Sequence, residues 1–314
     1  MTPPMLLAVP NVSEGRDAET IAAIGAAFAG DGASGVRVLD VHSDPDHHRS
    51  VFTIAGRPGE LVDALMRGAR VVVERIDVMS HTRPGASERA QRSRAGQHPH
   101  VGALDVAPIV YLDPRDRGDA CAQALVLGDR IGAELHVPVF LYGELSGEDP
   151  SSHRTRAQLR RGGVAGLAAR LAAREHGVTP DFGPAQLHAS AGAALLAARP
   201  PLVAFNLQLT PPASVSDAHA VAKLIREGGS HGLPGVRAIG VELAGGVAQV
   251  SMNIERPLEL PLATVVEAVA AHVDVASAEL VGLAPAAALE GFPHDLPILG
   301  FDPARHVIEN ALRC

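Results

Sequence analysis

Gly96-Gln97-His98-Pro99-His100-Val101-Gly102-Ala103-Leu104-Asp105-Val106 opens onto an uncharged apolar run over residues 107–112. That run reads as a buried strand, and the order of elements is set by counting outward from it. His98 and His100 stand at i and i+2, so an extended backbone sends both imidazoles to the same face. Pro99 between them fixes φ and lacks an N–H, which suits the start or edge of a strand and not its centre. Gly102 leaves backbone space for the close approach of a ligand. Imidazole titrates nearest neutrality of all side chains, which makes His98 a candidate proton acceptor. The plainer reading of the same residues is a polar loop capping a strand.

Upstream, residues 6–9, 36–41 and 50–55 read as strands. A helix with Ile21, Ile24 and Phe28 at helical spacing follows the first, capped by Ser13 or Asp17 and ended by Gly30-Asp31-Gly32. His42-Ser43-Asp44-Pro45-Asp46-His47-His48-Arg49 reads as a loop dense in titratable groups, and residues 61–76 as a helix with Leu61, Leu65, Ala69 and Val72 inward. Downstream come a strand at 109–112, a helix at 121–134 and a strand at 137–142. Such alternation predicts a mixed sheet with helices on one face. Residues 79–97 interleave Arg83, Arg89, Arg92 and Arg94 with Pro, Gly and Ser: a solvated loop, or a lid or anion clamp over the histidines. Residues 153–176 read as helical around Leu159, Leu167 and Leu171, with Arg154, Arg156, Arg160, Arg161, Arg170 and Arg174 forming a solvated face or a site for a polycarboxylate tail.

After the break at Asp181-Phe182-Gly183-Pro184 and a small-residue run at 189–194, a second pattern begins. It has a strand at 202–209, a helix at 216–227 capped by Ser214 or Ser216, and strands at 236–243 and 247–254 paired across Gly245-Gly246. A helix at 262–273, a strand at 279–283 and a short helix after Pro285 complete it. This β-α-β-β-α-β order is that of a ferredoxin-like domain. The expected division is therefore 1–200 and 201–314, an α/β protein of the α+β type in two subdomains; one continuous sheet is the alternative.

Composition closes off several classes of function. The 314 residues are 46% hydrophobic, enough for real cores, yet only 3% aromatic with no Trp, so a flat ligand finds few rings to stack on. A formal net charge of −8 argues against a nucleic-acid partner. No apolar run approaches the ~20 residues of a membrane span, and no basic segment with an apolar block follows Met1. Cys121 and Cys314 form no disulfide framework, so the cytoplasm is the default compartment. Lys223 is the only lysine, leaving positive charge almost wholly to arginine.

A set of motifs then resembles the glutamate formimidoyltransferase (formiminotransferase) family. They are Val9-Pro10-Asn11-Val12-Ser13-Glu14-Gly15-Arg16, Leu39-Asp40-Val41, Arg49-Ser50-Val51-Phe52-Thr53, His98-Pro99 and Gly102-Ala103-Leu104-Asp105-Val106. Leu141-Tyr142-Gly143-Glu144, Pro180-Asp181-Phe182-Gly183-Pro184, Ala204-Phe205-Asn206, Gln249-Val250-Ser251-Met252-Asn253 and Glu279-Leu280-Val281-Gly282-Leu283 follow in order. The resemblance implies transfer of the formimidoyl group of N-formimidoyl-L-glutamate to N5 of tetrahydrofolate, a step of histidine catabolism and one-carbon metabolism. It implies sheets facing each other across a folate cleft, a homodimer, no metal, and the transferase part without a cyclodeaminase domain. The family's catalytic histidine falls on His98, as general acid/base. Its folate-contacting loop falls on Gly183-Pro184-Ala185-Gln186-Leu187-His188-Ala189-Ser190-Ala191-Gly192. Asp40, His42 and His100 are candidates to polarise the amidine or orient the base. Arg49 is a candidate for a glutamate carboxylate or for a structural ion pair, and Asp105 for holding a neighbouring loop. This chain departs from the family at His42, His48, His100 and Ala191, where an aspartate, an asparagine, an arginine and a tryptophan are expected.

Two other classes fit the residues. If the two histidine-rich loops met, His42, Asp44, Asp46, His47, His48, His98 and His100 would suit a metal-dependent hydrolase of amidines or formamides. A non-catalytic folate carrier would keep the cleft and lose the reaction.

Overall fold

A computed structural model describes residues 4–32, 35–80, 99–147, 149 and 152–313. His98, the arginines at 83, 89, 92 and 94, and Cys314 lie outside the described residues. The chain divides at Pro200 and Pro201 into two compact units. Among the described residues no helix is long and apolar enough to cross a membrane.

The first unit starts with β1 (Leu6–Ala8) and β2 (Asn11–Val12), one strand interrupted at Pro10, which has no N–H for the ladder. Both halves lie between β4 (Arg49–Gly56) and β5 (Leu104–Val110), antiparallel to each. Outside β4 runs β3 (Arg37–Asp44). Beyond β5, β7 (Ala194–Arg199) and then β6 (Val139–Leu141) continue the seven-stranded sheet in parallel. Helix α1 (Ala18–Ala29) begins where Asp17 accepts the Glu19 N–H at 3.1 Å and buries Thr20, Ile24 and Phe28. Helix α2 (Glu60–Arg75) turns Leu61, Leu65, Ala69 and Val72 inward, and α3 (Arg117–Glu134) turns Ala120, Ala124, Leu127 and Ile131 inward. With Phe52, Ile54, Ala107, Ile109, Leu196 and Ala198 they form the main core.

Four expectations change here. The polar stretch after Val41 is strand as far as Asp44, and only residues 45–48 turn. The central strand spans Leu104–Val110, not 109–112. The small-residue run leads into β7, a strand the pattern did not mark. It is buried on both sides, Leu196 and Ala198 toward α1–α3 and Leu195 and Ala197 toward a second cluster. That cluster holds Val106, Phe140 and Tyr142 with Leu159 and Leu167, from α4 (Arg156–Leu159) and α5 (Gly163–Ala172). Helices therefore cover both faces of the parallel half, the usual condition of parallel strands.

The second unit contains β8 (Val203–Leu209), α6 (Val215–Ile225), β9 (Val236–Glu242), β10 (Ala248–Ile254), α7 (Leu262–Ala270) and β11 (Val275–Val281). The strand order is β11-β8-β10-β9, the arrangement the β-α-β-β-α-β sequence predicts. The sheet is antiparallel throughout and not mixed. Its reason is local: β10 returns from β9 by a hairpin and slots beside β8, so each neighbour runs opposite. Ser214 caps α6 in a reciprocal box with Asp217. Val203, Phe205 and Leu207 pack against Ala218, Val221, Val265 and Val269 as a separate core.

Candidate active site

The β3–β4 turn is built by Asp44, whose Oδ1 accepts the N–H groups of Asp46 and His47 at 2.8 and 2.9 Å. His48 closes it at φ +48°. In that position its Nδ1 accepts the Gly15 N–H at 3.2 Å and stands 3.5 Å from Glu14. The Ser50 hydroxyl donates to the Glu14 carbonyl at 2.6 Å, fixing the same corner. Here the first unit carries a cavity of about 350 Å³ lined by Ser13, Glu14, His48, Arg75, Ile76, Asp77, Val78, Ser80 and His100. That volume is within the range of small-molecule sites. Its wall combines carboxylates, imidazoles and a guanidinium, the groups that bind charged substrates and move protons.

His100 reaches the cavity because the segment after it is clamped. Ser13 donates its hydroxyl to the Gly102 carbonyl at 2.7 Å and its N–H to the Ala103 carbonyl at 2.9 Å. On the other side the Ala103 N–H donates to Ala191 at 2.9 Å and the Ala193 N–H to Val101 at 3.0 Å. The space at Gly102 is therefore not for a ligand: an added Cβ would overlap the Ala193 carbonyl oxygen and lie 2.9 Å from that of Ala191. Gly102→Ala is expected to cost on the order of 3 kcal/mol of stability in urea unfolding, because backbone and not a flexible side chain blocks the methyl. An unchanged midpoint would show that the strands part freely here.

Asp105 is 3% exposed as a side chain and has three partners at the back of this segment. Its Oδ1 accepts the Val101 N–H at 2.9 Å, Arg160 pairs with it directly, and Arg49 lies 3.8 Å away. Burial alone would raise its pKa, but Arg160, Arg49 and the Val101 N–H together hold the carboxyl below the usual range. Arg49 is pushed down to about 10, first by burial and then by the neighbouring Arg160. Of the two roles open to Arg49, the structure shows the ion pair.

Asp40, His42, Asp44 and Arg49 share one face of β3 and β4, opposite to the face carrying Phe52 and Ile54, since Asp40 pairs with Thr53, His42 with Val51 and Asp44 with Arg49. Sequence-distant candidates are thus collected on one side of the sheet, although Asp40, His42 and Arg49 do not line the cavity. The loop from Gly183 to Gly192 is divided. A Cβ at Gly183 would lie 2.8 Å from the Val137 carbonyl oxygen, so that glycine serves packing. Pro184, Ala185, Gln186 and Ala189 are exposed, and Leu187 and Ser190 half-buried. His188 Nδ1 accepts the Ala191 N–H at 3.1 Å; burial, and then His136, lower its pKa. Ala191 and Gly192 are buried against Gly102, and the Val78 N–H donates to the Ser190 carbonyl at 2.9 Å, which ties the loop to the cavity wall.

Five of the six arginines at 153–176 are engaged within the protein, Arg160 with Asp105. Arg154 pairs with Asp181 at 2.5 Å, Arg161 with Glu175 at 2.7 Å, Arg170 donates to the Leu159 carbonyl at 2.6 Å, and Arg156 lies 5.9 Å over the Tyr142 ring. Sequence reasoning missed Arg160 as the partner of Asp105 and Glu14 as a cavity wall. The available signal was a lone aspartate inside an apolar strand, which requires a counter-ion. Among the described residues, no three His, Cys, Asp or Glu side chains converge as a metal ligand set.

Residues 5–199 match the family model of the formiminotransferase domain, N-terminal subdomain. The chain is similar to glutamate formimidoyltransferase of Streptococcus pyogenes serotype M1, 33% identical over 97% of each chain. It is also similar to the enzyme of that name from Thermoplasma acidophilum, 33% identical over 94% of this chain and 93% of the other. The formimidoyltransferase-cyclodeaminase of Sus scrofa is 36% identical over 90% of this chain, which spans 50% of that longer protein.

Proposed function

The chain belongs to the formiminotransferase family, and from that premise we propose that it transfers the formimidoyl group of N-formimidoyl-L-glutamate to N5 of tetrahydrofolate. The observation that carries the reading is the cavity at Ser13, Glu14, His48 and His100, where Ser13 and Glu14 belong to a family motif and the two histidines flank others.

In this mechanism N5 attacks the amidine carbon, forming the C–N5 bond of a tetrahedral adduct. The adduct loses the N5 proton, the glutamate nitrogen gains one, and the bond from carbon to that nitrogen breaks. His98 takes the first proton and returns the second, since one group titrating near neutrality can do both. His100, Glu14 and His48 bind and orient the amidine from the cavity wall. The exposed part of the loop, Pro184, Ala185, Gln186 and Ala189, contacts the folate, which is a co-substrate and leaves as 5-formimidoyltetrahydrofolate. The enzyme acts in the cytoplasm as a homodimer.

The test is a transfer assay with purified protein and both substrates, reading glutamate release against reduced-folate product. The expected result is one glutamate per formimidoylated folate and none without folate. Folate-independent glutamate release would instead indicate a hydrolase, and folate binding without turnover a carrier.

A further inference from the structure

The cavity of the first unit draws its wall from two places. Ser13, Glu14 and His48 line it from the corner described above, and Arg75, Asp77 and Ser80 from the end of α2 and the segment that leaves it. The two carboxylates hold their own turns. Glu14 Oε1 accepts the N–H groups of Arg16 and Asp17 at 2.8 and 3.0 Å, and Asp77 Oδ1 accepts that of Met79 at 3.0 Å. Both are fixed negative charges on the wall.

Arg75 is the one guanidinium among the described lining residues. It is the last residue of α2, where the helix dipole favours a cation. Its ion-pair partner among the described residues is Glu19, with Nη1 and Oε1 3.5 Å apart and the two side chains 42% and 87% exposed. A long, solvated pair of this kind contributes little. A carboxylate entering the cavity can meet the guanidinium fork with two parallel bonds and displace Glu19.

We infer that Arg75 is a specificity-determining contact that binds the side-chain carboxylate of the donor's glutamyl group. This rests on the function proposed above, under which the donor brings an amidine at one end and that carboxylate at the other. The amidine is cationic when protonated, and Glu14 matches it. The carboxylate is repelled by Glu14 and Asp77 and finds its counter-ion in Arg75. The donor's other carboxylate sits on the carbon that bears the reacting nitrogen, so it stays beside the amidine. Arg75, on a different element from Glu14, His48 and His100, suits the distal one.

Arg75→Met keeps an apolar stem and removes the charge and the fork. The expected result is a KM for N-formimidoyl-L-glutamate raised about ten- to hundred-fold. The KM for tetrahydrofolate and the thermal midpoint of the unliganded protein stay the same, since only a solvated pair is lost. Arg75→Lys, which keeps the charge without the fork, falls between. N-Formimidoylglycine has the amidine and the adjacent carboxylate but no side-chain carboxylate, so wild type and Arg75→Met use it equally poorly. An equal loss with both donors overturns the assignment to the side-chain carboxylate. A rise confined to the KM of tetrahydrofolate overturns it in favour of the folate's own glutamate. Unchanged KM values, or a fallen midpoint with both KM values raised, leave Arg75 no part in recognition and overturn the inference. Should the wild-type protein transfer nothing, the function fails on its own. Arg75 is then judged by the thermal shift that N-formimidoyl-L-glutamate alone produces: present in wild type and lost in Arg75→Met if it binds the carboxylate, equal in both or absent from both if it does not.

Discussion

His98→Ala lowers kcat by about two to four orders of magnitude, with tetrahydrofolate binding by calorimetry nearly unchanged. The size follows from the chemistry. Without an acceptor the N5 proton must leave to water, and the glutamate nitrogen must depart without its proton, so both halves of the transfer slow together. Binding is spared because an imidazole that exchanges a proton in the transition state adds little to the ground state. His98 lies outside the described residues, but two residues on, His100 lines the cavity with Glu14 and His48. This provides the comparison. His100→Ala is expected to raise the KM of the donor with a smaller loss in kcat. If His98→Ala retains full activity and His100→Ala loses it, the acid/base assignment passes to His100.

How much of this was legible in the sequence follows the range of the interactions involved. Helix α2 and the β-α-β-β-α-β order of the second unit were readable because local periodicity encodes them: Leu61, Leu65, Ala69 and Val72 recur at helical spacing, and Gly245-Gly246 marks the hairpin. Strand β7 was not, because Ala194–Arg199 is buried on both faces and alternates in nothing but the side it faces. The start of β5 was misplaced for a related reason, Asp105 looking like the end of a polar loop when it is a strand residue. Its partner Arg160 stands 55 positions away, and no local pattern announces such a pair. Gly102 was noticed and misread, since a glycine that admits a ligand and one that admits another backbone look alike until the second strand is placed. At the site, Asp40, His42 and Arg49 were named from the family resemblance, while their sharing one face came only from the register of β3 on β4, since residues 42–49 read as a loop. Which polar residues line a cavity depended on the corner at Gly15 and His48, where a residue with φ +48° follows no visible turn glycine.

The pairing at Asp105 yields the second large effect. Asp105→Asn leaves Arg160 and Arg49 half-buried, at 11% and 22% side-chain exposure, without the buried carboxylate they face. Removing one partner of a buried ion pair costs about 3–5 kcal/mol, which is a large share of the ~5–15 kcal/mol of an ordinary domain. Arg160→Met alone should cost less, because Arg49 still faces the carboxylate. Asp105→Leu combined with Arg160→Met should recover part of the loss, since an apolar pair of similar volume avoids the desolvation of both charges. The sign of the pH effect is fixed by the depressed native pKa of Asp105. Below about pH 4 the unfolded chain takes up this proton before the native one does. Stability from Asp105 is therefore present above that pH and lost as pH falls through the native value. Chemical denaturation between pH 3 and 7 should accordingly show a shallower acid limb in Asp105→Asn than in the wild type. Parallel limbs, or a single-variant cost under ~1 kcal/mol, would mean that the carboxylate is solvated and the ion pair does not hold the segment behind His100.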